Sequence, residues 1–183
     1  MSLRPFDIVV VLEAHLWSAD TPWSFARLGE AVGVSASQAH AALRRLADAG
    51  LYRERDRSLR VHAFTGFAAH GIPFVFPARP GAPARGMPTA HAAPPLCDAL
   101  VGGVAYVWPM EEGVEGLAVE PLHPCVPEAA ARDGRLHAAL ALVDALRVGR
   151  VRERQLAVPA LERLLAGHDR DATRSPNHAA STR

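Results

Sequence analysis

Residues 23–52, WSFARLGEAVGVSASQAHAALRRLADAGLY, constrain the fold more than any other stretch of the chain. Phe25, Leu28, Ala31 and Val32 recur at helical spacing and predict a first helix with one face on a core. Gly33 suits the turn, since it tolerates the backbone angles that end a helix. Val34 would plug the core behind it. Ser35 is a good N-cap for a second helix, in which Ala39, Ala42, Leu43 and Leu46 fall on one side. Ser37, Gln38, His40, Ala41, Arg44 and Arg45 lie on the others. Gly29 is expected to weaken the first helix slightly. This spacing is what a DNA-reading pair of helices needs, one to brace and one to enter the major groove.

The net charge of +1 does not mark a nucleic-acid binder, so the distribution of charge has to be considered. Arg44, Arg45, Arg53, Arg55, Arg57 and Arg60 follow one another, offset only by Asp48, Glu54 and Asp56. Further on, Glu111, Glu112, Glu115, Glu120 and Glu128 cluster. A local basic stripe beside a compensating acidic region is adequate for phosphate contact. The bland reading of RERDR alone is a solvated surface. A second Arg-rich run, Arg147, Arg150, Arg152 and Arg154, surrounds a helix break at Gly149. It could meet an acidic partner or DNA backbone, although such runs are ordinarily solvated faces with local Arg–Glu pairs.

The flanks read less sharply. PFDIVVVLEAHLW predicts a helix from Pro5, a tolerated first-turn residue. Phe6, Val9, Leu12 and Leu16 share one face, and Ile8 and Trp17 add apolar surface beyond one stripe, enough to suggest a partner. After Gly50 we expect a strand near 51–54, a short helix to about 69 and a strand at 72–76 in the wing role. The alternative is a plain two-stranded wing within 52–64, tipped by Arg55-Asp56-Arg57. Residues 77–96 are dense in Pro, Gly and Ala and read as an extended linker, or else as an ordered loop. Tyr106 to Val119 holds material for a hairpin or an irregular arm. Residues 127–148 and 151–165 predict two amphipathic helices, the second kinked or restarted at Pro159, and the tail from Gly167 has almost nothing to bury.

Several function classes are disfavoured. Two cysteines, Cys97 and Cys125, are too few for a disulfide scaffold and fit a reducing cytoplasm. With His123 they lack paired metal-ligand spacing, so buried free thiols are the simpler reading and no cofactor is expected. No apolar run approaches a membrane span, and MSLRPFD lacks the apolar stretch of a signal peptide. The Gly-flanked glutamates at 111–115 suit a solvated turn. Every cationic residue is Arg and none is Lys, which removes Schiff-base and P-loop chemistry. We do not expect an enzyme.

Trp23, Phe25, Leu28, Val32-Gly33-Val34-Ser35, Leu43, Leu46 and Gly50-Leu51 together resemble the winged helix-turn-helix regulators of bacteria, MarR-like and related, mainly over residues 5–76. The resemblance implies a mainly α fold with a small β component. A winged helix-turn-helix domain over 1–76 would be joined by a Pro/Gly-rich connection over 77–126 to a helical pair over 127–166 serving oligomerisation, with a disordered tail over 167–183. It further implies a homodimeric, cytoplasmic transcriptional regulator of double-stranded DNA. The helix starting at Ser35 would enter the major groove, with Ser37, Gln38 and His40 at base edges and Ala41 allowing close approach. Arg44, Arg45, Arg53, Arg55 and Arg57 would neutralise phosphates. The alternative is a protein-interaction adaptor, such as an antitoxin-like partner, acting through the C-terminal helices.

Overall fold

The computed structural model describes residues 2–17, 22–100 and 102–173, with side chains to Gly167. The chain is mainly helical with a small β component. The first helix, α1 (Pro5–Leu16), starts on a proline, and Asp7 caps it by accepting the Arg4 amide at 2.9 Å. Ile8, Val9, Val10, Val11 and Leu12 are wholly buried. Helices α2 (Phe25–Val32), α3 (Ala36–Asp48), α7 (Gly134–Val148) and α8 (Val151–Thr173) pack around it. The excess apolar surface of α1 is therefore covered by its own chain. It gives no support to docking on a second subunit.

A two-stranded antiparallel hairpin follows α3, with β1 (Tyr52–Arg53) and β2 (Ser58–Leu59) paired Tyr52 to Leu59 and Arg53 to Ser58. Next come α4 (Val61–His70) and the single turn α5 (Ile72–Val75). The hairpin falls within residues 52–64, the range of the alternative two-stranded reading. The strand expected at 72–76 is a helical turn. Pro73 suits its start, the Phe76 amide closes it onto the Ile72 carbonyl, and Phe74 and Val75 point outward at 79% and 56% exposure.

The stretch expected as a linker contains β3 (Pro83–Thr89), followed by a 3₁₀ turn at Ala90–Ala92. β3 pairs antiparallel with β4 (Tyr106–Pro109) through one end and with β5 (Val114–Ala118) through the other. β4 and β5 also pair with each other, in parallel, so the three strands close into a ring rather than a hairpin. Gly86 sits where β3 passes between its two neighbours, and a Cβ there would overlap the Trp108 carbonyl. A glycine that reads as linker composition is here a condition for strand closure.

The helix predicted over 127–148 is two, α6 (Val126–Arg132) and α7. Asp133 separates them and caps α7 by accepting from the Arg135 amide at 2.7 Å. Ala139 to Arg147 are all buried within the chain's own core, so α7 is a core helix. α8 runs through Pro159 to Thr173, beyond Gly167, and residues 174–183 lie outside the described residues. One contiguous core takes side chains from Ile8 to Leu165, joining the N-terminal helices to α7 and α8.

Asp144 is the polar centre of that core. Its carboxylate accepts Trp108 Nε1 at 2.6 Å, Thr89 Oγ1 at 2.9 Å and Arg147 Nη1 at 2.6 Å. Arg147 also donates to the Phe76 and Glu120 carbonyls. The strand ring is thereby fastened to α7 through Asp144 Oδ2, while Arg147 of the same helix holds Oδ1.

Candidate nucleic-acid interface

The α2–α3 corner is built from local rules. Ser24 caps α2 by accepting the Arg27 amide, and the helix ends on Gly33 at φ 73°. The Val34 amide reaches back to the Gly29 carbonyl at 2.7 Å, which satisfies an otherwise orphaned helix end. A side chain at Gly29 would place its Cβ 2.5 Å from the Val34 carbonyl oxygen. The residue that weakens α2 by propensity is therefore the one that lets the turn close.

At the start of α3, Ser35 and Gln38 form a reciprocal capping box. The Gln38 amide donates to Ser35 Oγ at 3.2 Å, and the Ser35 amide donates to Gln38 Oε1 at 3.0 Å. Ser37 Oγ lies 3.0 Å from Ser35 Oγ. The residues expected at base edges, Ser37, Gln38 and His40, are exposed, as is the N-cap Ser35, and Ala41, expected to allow close approach, is half-buried. Gln38 carries a conflict, because its acceptor oxygen is already engaged. Pairing with adenine, which uses both the oxygen and the amine of a glutamine, requires the box to open.

The expected phosphate ligands divide. Arg44 is exposed and forms no ion pair among the described residues, and Arg55 stands likewise at the hairpin tip. Arg53 is exposed but donates to Ser58 Oγ at 2.9 Å, with Asp56 3.4 Å away. The Ser58 hydroxyl, with Arg53 beside it, holds Asp56 below the usual carboxylate range. Arg57 lays its guanidinium 4.2 Å from the Trp23 ring centroid. Arg45 turns inward instead. It donates from Nε and Nη2 to the two oxygens of buried Asp7 at 2.8 and 2.5 Å, with its side chain 11% exposed. In this conformation it braces α3 on α1 and offers little to a phosphate.

Aromatic contacts tie the hairpin to α3. From Arg57 the chain of contacts runs through Trp23 to Phe25, 4.6 Å away edge-on, and from Phe25 to His40, 4.7 Å away. In the sequence neither Trp23 nor Phe25 stands out as more than core material. Tyr52, at the hairpin base, is buried, which pushes its phenol up to about 12.

A cleft of about 370 Å³ flanks α3, lined by Phe6, Ala41, Arg45, Leu122 and His123. At its edge His123 Nδ1 lies 3.0 Å from Cys125 Sγ. Burial pushes the Cys125 thiol up to about 11, which disfavours the thiolate, and lowers His123. Among the described residues no cluster of three or more His, Cys, Asp or Glu could hold a metal ion. None of their helices is long and apolar enough to cross a membrane. No family model, no curated protein and no solved structure matches the chain.

Proposed function

We propose that residues 5–59 act as a winged helix-turn-helix that binds double-stranded DNA, and that the protein regulates transcription through it. The observation that carries this reading is the aromatic connection from Arg57 through Trp23 and Phe25 to His40. It couples the tip of the hairpin to the exposed side of α3, so that a groove-entering helix and a phosphate-gripping wing form one surface. Arg44 and Arg55 carry the phosphate contacts, because both are exposed and unpaired among the described residues. Ser37 and His40 carry base reading, with Gln38 joining when its capping box opens.

Selection from a pool of random duplexes tests this reading. Enrichment of a consensus that is lost with Ser37→Ala and His40→Ala together supports it. A pool that stays random after repeated rounds overturns it.

A second reading, as a protein-interaction adaptor, rests on one feature. Phe74 and Val75 are exposed beside buried Ile72, on a turn far from usual loop composition. Co-purification of a stoichiometric protein that Phe74→Ser releases supports this second reading.

A further inference from the structure

A cavity of about 520 Å³ opens between the strand ring and the start of α8. It lies apart from α3 and the hairpin, and its chemistry does not depend on the DNA reading. Leu100, Tyr106 and Leu117 give it an apolar wall, and Arg150 and Arg152 stand at its edge. Among the described residues Glu153 is its one acidic lining residue, and that carboxylate already accepts the Arg150 amide at 2.9 Å. Two guanidinium groups against one engaged carboxylate leave the cavity electropositive.

His91 is the decisive residue. It is 9% exposed, rests edge-on against Tyr106 at 4.7 Å between ring centroids, and lines the cavity. Its Nδ1 is buried with no hydrogen-bond partner among the described residues. A Cβ built on Gly103, which also lines the cavity, would sit 3.9 Å from His91 Nε2. With its proton on Nε2, His91 presents a donor beside the Gly103 part of the cavity lining. A buried imidazole donor, two forked cations and an apolar wall in a space of this size match a small molecule rather than a macromolecule.

We infer that this cavity binds a small organic anion with an apolar body. The acidic group would accept from His91 Nε2 and the guanidinium of Arg150 or Arg152, while the body packs on Tyr106, Leu100 and Leu117. The glycines at 102 and 103, both at positive φ, keep the approach to His91 free of side chains.

Nuclear magnetic resonance of the full chain with labelled histidine tests this, with the His91 ring signals assigned by their loss in His91→Gln. Phenyl phosphate serves as the probe, with inorganic phosphate and benzyl alcohol supplying the charge and the body separately. The expected result is a saturable shift of the His91 ring with phenyl phosphate. Its Kd should be at least about tenfold tighter than either control, and it should weaken by about tenfold or more in Arg150→Gln/Arg152→Gln, roughly 1.4 kcal/mol per factor of ten. Both arginines are exposed, so that variant keeps the fold. No saturable shift at His91, equal binding of a control, or an unchanged Kd in the double variant overturns the inference.

Discussion

Asp7, in the first turn of α1, and Arg45, in the last turn of α3, meet in a doubly bonded ion pair in which the carboxylate is wholly buried. The pair fixes the angle at which α3 leaves the core, and it sets Arg45 apart from its neighbour Arg44. Removing one partner of a buried pair leaves a charge uncompensated, at a cost of about 3–5 kcal/mol. Arg45→Ala should therefore lower stability by about that amount, whereas Arg44→Ala should change it by less than about 0.5 kcal/mol. Denaturant midpoints of the two variants check this, and equal midpoints would contradict it.

Gly29→Ala poses two effects of opposite sign. Alanine gains about 1 kcal/mol of helix propensity over glycine. Against that, its Cβ would come within 2.5 Å of the Val34 carbonyl, a backbone atom held by the turn itself. Overpacking of this kind costs about 1–3 kcal/mol, and the obstacle cannot swing aside as a side chain would. The variant should unfold at lower temperature than the parent, and a raised Tm would show that the corner yields easily.

Glu13 gives the protein a pH dependence of defined sign. Its Oε1 accepts Trp17 Nε1 at 2.9 Å, while Oε2 is buried without a partner among the described residues. Burial is the main reason its pKa lies above the ordinary value of 4.5. A raised folded pKa means that the native state holds this proton more tightly than the unfolded chain. The contribution is fully present below 4.5 and is lost as pH rises through the folded value. Parent stability relative to Glu13→Gln should then fall from acid to neutral pH. Urea titrations at several pH values check this, and parallel stability curves for the two proteins would contradict it.

The legibility of each element in the sequence depends on how local its signal is. Pro5, Gly33 and Ser35 mark helix ends through their own backbone chemistry, and α1, α2 and α3 begin or end on them or beside them. The ring of β3, β4 and β5 has no such mark. It depends on pairings such as Arg85 with Glu115 and Thr89 with Tyr106, and on the missing side chain of Gly86. The proline and glycine content around β3 argues for a linker instead, whereas β4 and β5 are legible as hairpin material. Arg44 and Arg45 differ by one position, about 100° around the helix, and only Asp7, 38 residues earlier, decides which of them is buried. The lone acid in ALALVDALRV is a usable signal for a buried polar centre, since Asp144 interrupts the apolar run from Ala138 to Leu146. The cavity beside His91 joins residues from three separate stretches, and nothing along the chain announces it.

If α3 and the hairpin tip grip one duplex together, both must contribute to the salt dependence of binding. Fluorescence anisotropy of the full chain on duplex DNA from its own upstream region, across a salt series, measures this beside Arg44→Glu and Arg55→Glu. Each phosphate contact contributes about −0.9 to the slope of log K against log salt. A shared grip requires tight, salt-sensitive binding whose slope shrinks by about one contact or more in each variant, with the parent fold intact. Binding no stronger than to random duplex, or slopes unchanged in both variants, would contradict it.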